Sequence, residues 1–295
     1  MHIKNKKMTF IGLGKMGFPI ANNLIKLNYK INGFDIDPKI GKKFEKNGGT
    51  SLSTLRKAIS NSDIIITMLP DGKIVNEVLL GKNQNVFKAR LGALIIDMSS
   101  SNPLGTITLG EKLKKRGYSL VDAPVSGGVK RATNASMAIM IGGEKKDKKI
   151  AKKILQNLGR SVFDTGFLGS AHAMKALNNY VSACGLVAAC EALIVGKKFG
   201  IKDQTIIDVL NTSTGKNNST ETKMKEFILS GKFSSGFDMK LMAKDLFTAL
   251  DLVKGVELNL AGIKTASEIW SGATRLKEFS DSDHTEIFKY LSKIS

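Results

Sequence analysis

Cysteine and histidine are scarce in this chain of 295 residues, which contains two cysteines and three histidines. Cys184 and Cys190 lie six residues apart in one predicted helix and do not share a face cleanly, so a disulfide framework is not expected. His2, His172 and His284 are scattered along the chain and lack the spacing of metal ligands. We therefore expect no metal site, and the cysteine usage fits a protein of the reducing cytoplasm.

Long apolar stretches are also absent. No run of about 18 or more apolar residues occurs, so the sequence predicts no membrane span and no membrane partner. Residues 1–7 are polar and basic and lack the hydrophobic segment of a secretion signal, and we interpret Met8 as the functional start of the chain. An apolar content of 42% and a length of 295 residues suit two globular domains with buried cores.

Acidic residues are too few to balance the basic ones, and the formal net charge is +19. Such a charge can indicate nucleic-acid binding. Nearly all of it comes from lysines that recur on polar helix faces, and arginines are few. No aromatic residues interleave with these lysines to form a stacking surface for bases. We therefore interpret the lysines as a solvated surface and predict no nucleic-acid partner.

Apolar segments typical of buried strands alternate with helical segments in the first half of the chain. This alternation predicts an α/β fold with a parallel sheet. From about Gly166 onward the pattern predicts helices only, beginning with a long, largely apolar helix at residues 171–199. We predict one domain at residues 1–167 and a second, all-α domain at residues 168–295. The predicted strands are residues 8–13, 30–35, 63–68, 93–97, 118–122, 136–141 and 161–163.

A glycine-rich turn follows the first predicted strand and leads into a predicted helix at residues 15–27. In a strand-turn-helix unit, the pattern GxGxxG is typical of dinucleotide binding. Gly12 permits the tight turn, Gly14 lets the backbone approach a pyrophosphate, and Gly17 allows close helix packing. Free N–H groups at the helix N-terminus favour the phosphates. The residues predicted to contact the cofactor here are Gly12, Leu13, Gly14, Lys15, Met16 and Gly17.

Asp35 ends the second predicted strand, 18 residues after the last glycine of that turn. The position matches the acidic residue that accepts hydrogen bonds from the adenine ribose hydroxyls, and a carboxylate there would repel a 2′-phosphate. We therefore predict NAD rather than NADP as the cofactor. Capping of the next helix is the alternative role for this carboxylate, and Asp37 could also fill it. Lys39, Lys42 and Lys43 keep NADP open as an alternative.

Two loops follow the third and fourth predicted strands. Ligands of open α/β sheets lie over the carboxyl ends of the strands, so we expect both loops to line the dinucleotide. Plain connecting loops are the alternative interpretation. The residues predicted to contact the cofactor from these loops are Met68, Leu69, Pro70 and, through its hydroxyl, Ser100.

Two further segments indicate chemistry. Residues 122–128 (DAPVSGG) predict a tight turn with free backbone N–H groups, which suits a small carboxylate. Lys175 and Asn179 are four residues apart and so share one face of the long predicted helix. Together with the glycine-rich turn, these segments describe a nicotinamide enzyme with an acid/base lysine.

In these segments, the chain resembles the β-hydroxyacid dehydrogenase family, which includes 3-hydroxyisobutyrate dehydrogenase and tartronate semialdehyde reductase. The resemblance extends roughly from Met8 to Ile294. It implies a Rossmann-type domain followed by an all-α substrate and oligomerisation domain, which a long interdomain helix begins. It rests on the ordered blocks FIGLGKMGFPIANNL, DAPVSGG, GSAHAMKALNN and GFDMKLMAKDLFTAL, with support from TMLP and IDMSS.

The resemblance also implies roles for particular residues. Lys175 corresponds to the family's catalytic lysine, and Asn179 to the asparagine that orients the substrate. Lys244 corresponds to a lysine near the nicotinamide and the substrate. The turn that holds the substrate carboxylate corresponds here to Ser126, Gly127 and Gly128. Family likeness and the apolar helical domain suggest a homodimer or homotetramer.

The chain departs from the family pattern at a few positions. The family commonly has glycine where Ala135 and Ala171 stand. Lys130 and Arg131 replace residues that are often small. If these two side chains face the site, they predict a substrate with a second anionic group. A solvated first helical turn is the alternative interpretation.

The sequence therefore predicts an NAD(P)-dependent dehydrogenase of a small 3-hydroxy acid, or a reductase of its semialdehyde. A lysine has a pKa of about 10.4 in water and serves best as a general base at a pKa of about 7–8, so burial and a neighbouring cation must lower the pKa. Lys175 has apolar sequence neighbours, and Lys244 could supply the cation. One alternative is an imine reductase-like enzyme, in which this lysine is usually replaced. Another is a non-catalytic, dinucleotide-bound scaffold on nucleic acid.

Overall fold

The computed structural model describes residues 3–82 and 85–295, so His2 lies outside the described residues. The chain divides into two compact units, one ending at Lys175 and the other running from Ala176 to Ser295. The division falls inside a long helix, whereas the predicted domain boundary at residue 167 lies before that helix. The boundary between the functional domains remains a prediction.

A nine-stranded sheet forms the centre of the first unit in the described residues. Its strands are β1 (Met8–Ile11), β2 (Ile31–Phe34), β3 (Thr50–Ser51), β4 (Ile64–Thr67), β5 (Leu94–Asp97), β6 (Ser119–Asp122), β7 (Val125–Ser126), β8 (Met137–Gly142) and β9 (Gly159–Gly166). The order across the sheet is β3-β2-β1-β4-β5-β6-β8-β7, and β9 pairs with β8. The strands from β3 to β6 in this order pair in parallel, which confirms the predicted α/β fold class.

Helices connect these strands: α1 (Gly17–Lys26), α2 (Pro38–Lys46), α3 (Leu55–Ile59), α4 (Gly72–Leu80), α5 (Pro103–Lys114), α6 (Gly128–Thr133) and α7 (Lys145–Leu155). Two 3₁₀ turns lie at Ile3–Asn5 and Asn85–Lys88. The side chains of Asp37, Asp71 and Asn102 cap α2, α4 and α5 by accepting backbone N–H groups of the first turn. Pro38 and Pro103 occupy first helical positions, where no backbone N–H is required.

The core of the first unit lies on both faces of the sheet. Successive residues of a strand point to opposite faces. In β4, Ile66 packs in the same cluster as Leu24 of α1, whereas Ile65 packs in the cluster that contains Leu113 of α5. Every residue of β1, β4 and β5 is buried, as expected for parallel strands covered by helices on both sides.

One end of the sheet departs from the predicted parallel arrangement. β8 pairs antiparallel with β6 and β7, and β9 then pairs in parallel with β8. A parallel return requires a crossover of about a dozen or more residues. Only residues 127–136 separate β7 from β8, and they contain the short helix α6, so the chain returns in the opposite direction.

The second unit consists of helices joined by turns and loops, and residues 176–295 contain no strand, only an isolated bridge between Asp238 and Asp283. Its core is one hydrophobic cluster that includes Leu186, Leu193, Leu246 and Trp270. A π-helical turn at Met224–Leu229 and a 3₁₀ turn at His284–Glu286 also belong to this unit. The helices are α8 (Ser170–Lys198), which begins in the first unit, α9 (Asp203–Thr212), α10 (Asn218–Thr222), α11 (Met239–Gly255), α12 (Ala261–Arg275), α13 (Lys277–Ser280) and α14 (Ile287–Ile294).

Helix α8 is unusually long and apolar. It has 29 residues, and an 18-residue window within it has a mean hydropathy of 1.5. By length and composition alone, this helix could cross a membrane. The sequence, judged by its runs of consecutive apolar residues, predicts no such span. The core helices of soluble proteins meet the same criterion, so this feature is weak evidence for a membrane span.

Candidate active site

The glycine-rich turn between β1 and α1 contains glycines with different steric surroundings. Gly12 has a φ of +90°, and a Cβ on it would lie 2.3 Å from the Met68 carbonyl oxygen. A Cβ on Gly17 would lie 1.9 Å from the Gly12 carbonyl oxygen. By contrast, apart from Gly14 and its two chain neighbours, no described residue has a heavy atom within 4 Å of the position that a Cβ on Gly14 would take. Gly12 and Gly17 therefore close the turn tightly, whereas Gly14 faces open space.

Helix α1 begins at Gly17, later than the predicted start at residue 15. Lys15 and Met16 lie instead in a turn that the Phe18 N–H closes onto the Gly14 carbonyl at 3.0 Å. Met16, the N-cap residue, has a side chain that makes no capping hydrogen bond. The N-terminus of α1 thus has no side-chain cap from its own N-cap residue, which suits an anionic ligand.

Asp35 lies directly after β2 and beside the glycine-rich turn. Its Oδ2 accepts the Leu13 N–H at 2.7 Å, and its Oδ1 accepts the Asp37 N–H at 2.9 Å. The Asp37 side chain, and not that of Asp35, caps α2. Each carboxylate oxygen has two lone pairs, so these bonds are compatible with further hydrogen bonds from ribose hydroxyls.

Hydrogen bonds join the two loops that follow β4 and β5. The Leu69 N–H donates to Ser99 Oγ at 2.9 Å. The buried carboxylate of Asp97, at the end of β5, accepts from Thr67 Oγ1 at 2.8 Å, from the Ser99 N–H at 3.0 Å and from Ser101 Oγ at 2.9 Å. The backbones of both loops are therefore held in place. Met68, Leu69, Pro70 and Ser100 all belong to these loops and are at least partly exposed.

These features fit a dinucleotide. An open glycine face, a helix N-terminus whose N-cap side chain makes no hydrogen bond and a carboxylate at the end of β2 are features that hold pyrophosphate and ribose in this type of fold. Among residues 3–82 and 85–295, no group of three or more His, Cys, Asp or Glu residues is placed to hold a metal ion.

The turn predicted at residues 122–128 does not form as one turn, because Asp122 ends β6 and residues 125–126 form β7. Only residues 126–128, the carboxylate turn, lead from β7 into α6. Gly127 has a φ of +135° and Gly128 a φ of +64°, values that favour glycine. A Cβ on Gly127 would lie 2.5 Å from Cδ of Arg131, so the aliphatic part of this side chain lies against the turn. Arg131 and Lys130 are both exposed. Further along, Ala135 has a φ of +50°, a conformation that disfavours residues other than glycine by about 1–2 kcal/mol.

Lys175 and Asn179 share one face of α8 and are buried, with 9% and 6% of their surface exposed. The Asn179 Nδ2 donates to Asp245 Oδ2 of α11 at 2.5 Å, and its Oδ1 accepts from Asn178 Nδ2 at 3.1 Å. Lys244 Nζ lies 3.2 Å from Asp245 Oδ1. In the second unit, Asp245 therefore brings together two residues that the sequence predicts as functional.

Asp245 was not among the residues predicted from the sequence. Its neighbours in α11 are mostly apolar, and it is buried among Met242, Leu246 and Ala249, which also face the interior. A buried charged residue in a core helix is uncommon and normally paired. The acidic residue in an otherwise apolar helical stripe is the signal that could have identified it.

Comparisons with known proteins extend over both units. A family model described as the NAD binding domain of 6-phosphogluconate dehydrogenase matches residues 7–166. A second model, described as the NAD-binding region of NADP-dependent 3-hydroxyisobutyrate dehydrogenase, matches residues 169–291.

Individual proteins are similar over nearly their whole length. The 2-(hydroxymethyl)glutarate dehydrogenase of Eubacterium barkeri is 34% identical over 91% of this chain and 89% of its own. The mitochondrial 3-hydroxyisobutyrate dehydrogenase of Rattus norvegicus is 33% identical over 96% of this chain and 86% of its own. The structure of Mycobacterium tuberculosis 3-hydroxyisobutyrate dehydrogenase with L-serine superposes with a TM-score of 0.89, at 28% identity, over 97% of this chain and 99% of that one.

Proposed function

Since the chain belongs to the β-hydroxyacid dehydrogenase family and is an NAD-dependent dehydrogenase of hydroxy acids, we propose that it interconverts a small 3-hydroxy acid and its semialdehyde, with Lys175 as general acid and base. The observation that carries the proposal is the buried polar pair on α8, Lys175 and Asn179. Lysine is almost never this buried unless a partner or a function requires it.

When bound, the nicotinamide supplies the hydride acceptor or donor. The residues of this chain hold the substrate and move a proton. In the oxidising direction, the neutral amine of Lys175 takes the proton of the substrate hydroxyl, and in the reducing direction the ammonium returns a proton to the aldehyde oxygen.

Orientation of the substrate falls to Asn179 and to the turn of Ser126, Gly127 and Gly128. Asp245 takes one N–H of the Asn179 amide and fixes the plane of that amide, so the second N–H can orient the substrate hydroxyl. The backbone N–H groups of the turn bind the substrate carboxylate. Lys244, paired with Asp245, contributes positive charge for the carboxylate and the cofactor.

The test of this proposal is Lys175→Ala. We expect kcat to fall about 10²–10⁴-fold, the usual contribution of a general acid or base, while the dissociation constant of NADH is unchanged. Lys198→Ala, which removes an exposed lysine from the same helix, is the matched control and should keep full kcat. Normal kcat in Lys175→Ala would refute the role of this amine.

Two other outcomes would favour the alternative functions. Reduction of cyclic imines, with no activity on semialdehydes, would support an imine reductase-like enzyme. Salt-sensitive DNA binding without turnover would support a scaffold on nucleic acid. The presence of both Lys175 and Asn179 favours the dehydrogenase over each of them.

For the cofactor, we propose that Asp35 accepts the adenine ribose hydroxyls and selects NAD over NADP. Asp35→Ala would also disturb the turn, because the carboxylate holds the Leu13 and Asp37 N–H groups. Asp35→Asn keeps one of these two hydrogen bonds, so it disturbs the turn less, and it removes the charge that repels a 2′-phosphate. We expect the ratio of the NAD and NADP dissociation constants, measured by fluorescence titration, to shift toward NADP. An unchanged ratio would contradict the ribose role.

A more specific proposal concerns the number of carboxylates on the substrate. One similar protein is named for 2-(hydroxymethyl)glutarate, which has two carboxylates, and another for 3-hydroxyisobutyrate, which has one. Arg131 lies against the carboxylate turn and could take a second carboxylate. A panel of mono- and dicarboxylic 3-hydroxy acids, assayed with wild type and Arg131→Ala, distinguishes a monocarboxylic from a dicarboxylic substrate. A KM increase confined to the dicarboxylic substrates would assign the arginine to the second anionic group.

We also propose a homodimer or homotetramer. Val181 and Val195, on α8, are each 67% exposed, and such apolar exposure along a long helix favours association. The mass of the particle by light scattering tests this proposal. The cytoplasmic location and the absence of a nucleic-acid partner remain predictions from the sequence.

A further inference from the structure

The first turn of α8 carries a buried histidine that the proposed reaction does not use. His172 precedes Lys175 by three residues on the same helix and is 1% exposed. Residues three apart on a helix are neighbours. Both its backbone and its side chain make hydrogen bonds to parts of the first unit that lie at the carboxyl ends of the strands.

The N-terminus of α8 is capped from elsewhere in the chain. Gly169 precedes the helix, has a φ of +92° and has no side chain that could act as a cap. Asp122, at the end of β6, takes this place. Its Oδ1 accepts the Gly169 N–H and its Oδ2 the His172 N–H, both at 2.9 Å. A fully buried carboxylate at a helix N-terminus is stabilised by both hydrogen bonds and the helix dipole.

The imidazole of His172 makes a second set of contacts. Its Nδ1 lies 2.8 Å from Thr106 Oγ1, and its Nε2 lies 3.1 Å from the Ser99 carbonyl oxygen and 3.7 Å from Asp97 Oδ2. A carbonyl oxygen only accepts hydrogen bonds, so Nε2 carries a hydrogen. This hydrogen bond joins α8 to the loop after β5.

The same loop is joined to the loop after β4. Ser99, whose carbonyl accepts from His172, also accepts the Leu69 N–H on its Oγ. A continuous series of hydrogen bonds thus runs from the helix turn before Lys175 to both loops proposed to line the dinucleotide. All of these residues belong to the first unit.

We propose that His172 is a positioning residue, which sets the place of the Lys175 amine relative to the cofactor loops. The inference rests on the proposed function of Lys175. Its physical basis is that a displacement of about 1 Å between reacting groups can lower a rate about 10²-fold, even when every catalytic group is present. Leucine at position 172 would fill a similar volume and remove the link to Ser99, so the first turn of α8 could shift against the loops.

The experiment compares His172→Leu with His172→Gln. In His172→Leu we expect kcat to fall about tenfold or more, while KM for the hydroxy acid changes less than about twofold. Glutamine can donate to the Ser99 carbonyl, so His172→Gln should recover most of kcat. The pH profile of kcat should keep its shape in both variants and differ only in height. Loss of one limb of the profile would mean that His172 itself titrates in the reaction, and would overturn the proposal.

Thr9→Val is the matched control for a lost buried hydrogen bond. Thr9 Oγ1 donates to the Ala58 carbonyl at 2.5 Å inside the first unit, and neither residue belongs to the proposed site. This variant should lose stability and keep kcat. Equal kcat losses in Thr9→Val and His172→Leu would show a general effect of destabilisation and refute a positioning role.

The outcomes separate this inference from the proposed function. Normal kcat in Lys175→Ala would refute the function of the lysine. Full kcat in folded His172→Leu, with the kcat of Lys175→Ala lowered as expected, would refute the positioning role alone. If His172→Leu does not fold, Thr106→Val takes its place. It removes the hydrogen-bond partner that holds Nδ1, so the ring is no longer fixed in the orientation that directs Nε2 to the Ser99 carbonyl. A kcat loss of about threefold there, at constant KM, supports the proposal, and an unchanged kcat overturns it.

Discussion

His172 and His284 are 1% and 2% exposed, and each lies next to aspartate. The ring nitrogens of His172 are 3.7 Å from Asp97 and 3.9 Å from Asp122, and Nδ1 of His284 is 3.5 Å from Asp283. Both rings also contact a hydroxyl group, of Thr106 in one case and Ser235 in the other. In residue types alone, the two clusters are nearly interchangeable.

Their surroundings differ. His172 lies against loops at the carboxyl ends of the strands, whereas the ring of His284 is perpendicular to that of Phe237 and stacks on Trp270. Asp283 accepts from Ser235 and from the Gly236 N–H, so this cluster fastens the segment before α11 to the segment before α14. A buried histidine-aspartate pair therefore does not indicate function by itself. The position of such a pair relative to a ligand-binding site is what indicates a function.

Among the variants that test the difference between the His172 and His284 clusters, His284→Leu has the largest expected effect. It leaves Ser235 and Asp283 without the imidazole in a buried site, so we expect the free energy of unfolding to fall by about 2–4 kcal/mol. Urea denaturation measures this loss, and kcat should stay at the wild-type value in folded protein. A kcat loss as large as that of His172→Leu would break the distinction between the two clusters.

A second prediction concerns Lys223, whose charge lies close enough to influence His284. Burial lowers the pKa of Lys223 to about 8, and attraction to Asp283 opposes part of this shift. Because this value is below that of an unfolded lysine, protonation of Lys223 destabilises the folded state as pH falls below about 10, and the loss is complete below about pH 8. Lys223→Met should therefore raise the free energy of unfolding at pH 7 by about 2 kcal/mol, allowing for partial exposure of the side chain.

The sign of this effect can be checked against pH. Between about pH 8 and 10 the unfolded chain holds the Lys223 proton and the folded chain releases it. The free energy of unfolding of the wild type therefore rises with pH relative to that of Lys223→Met, and the difference between the two proteins becomes smaller. Urea denaturation of both proteins at pH 7 and pH 10 measures the gap. A gap that widens with pH would contradict the lowered pKa.

The smallest expected effect concerns acid. Burial lowers the pKa of His284, and the hydrogen bond to Asp283 opposes part of that shift. The unfolded chain then binds the proton first as pH falls below about 6.5, so the folded state loses stability in that range. His284→Gln should make the fall in unfolding free energy between pH 7 and pH 5.5 shallower. An identical slope in the variant would indicate that other groups cause it.

Much of this molecule could be predicted from short stretches of sequence. The family resemblance and the α/β fold class are confirmed, and they follow from apolar periodicity and from motifs such as the glycine-rich turn. The exceptions have local causes as well. The antiparallel return of β8 follows from a connection too short for a parallel crossover, and the late start of α1 follows from the turn at Lys15 and Met16.

The sequence by itself determined which residues share an element, because strand and helix periods act over a few positions. It therefore placed Lys175 and Asn179 on one helix face and Gly12, Gly14 and Gly17 in one turn. Only the tertiary structure decided what holds them. Asp245 binds Asn179 from 66 residues away, and Asp122 caps α8 from 47 residues away. Hydrogen bonds between residues so distant along the chain depend on how elements pack, and no local pattern records that packing.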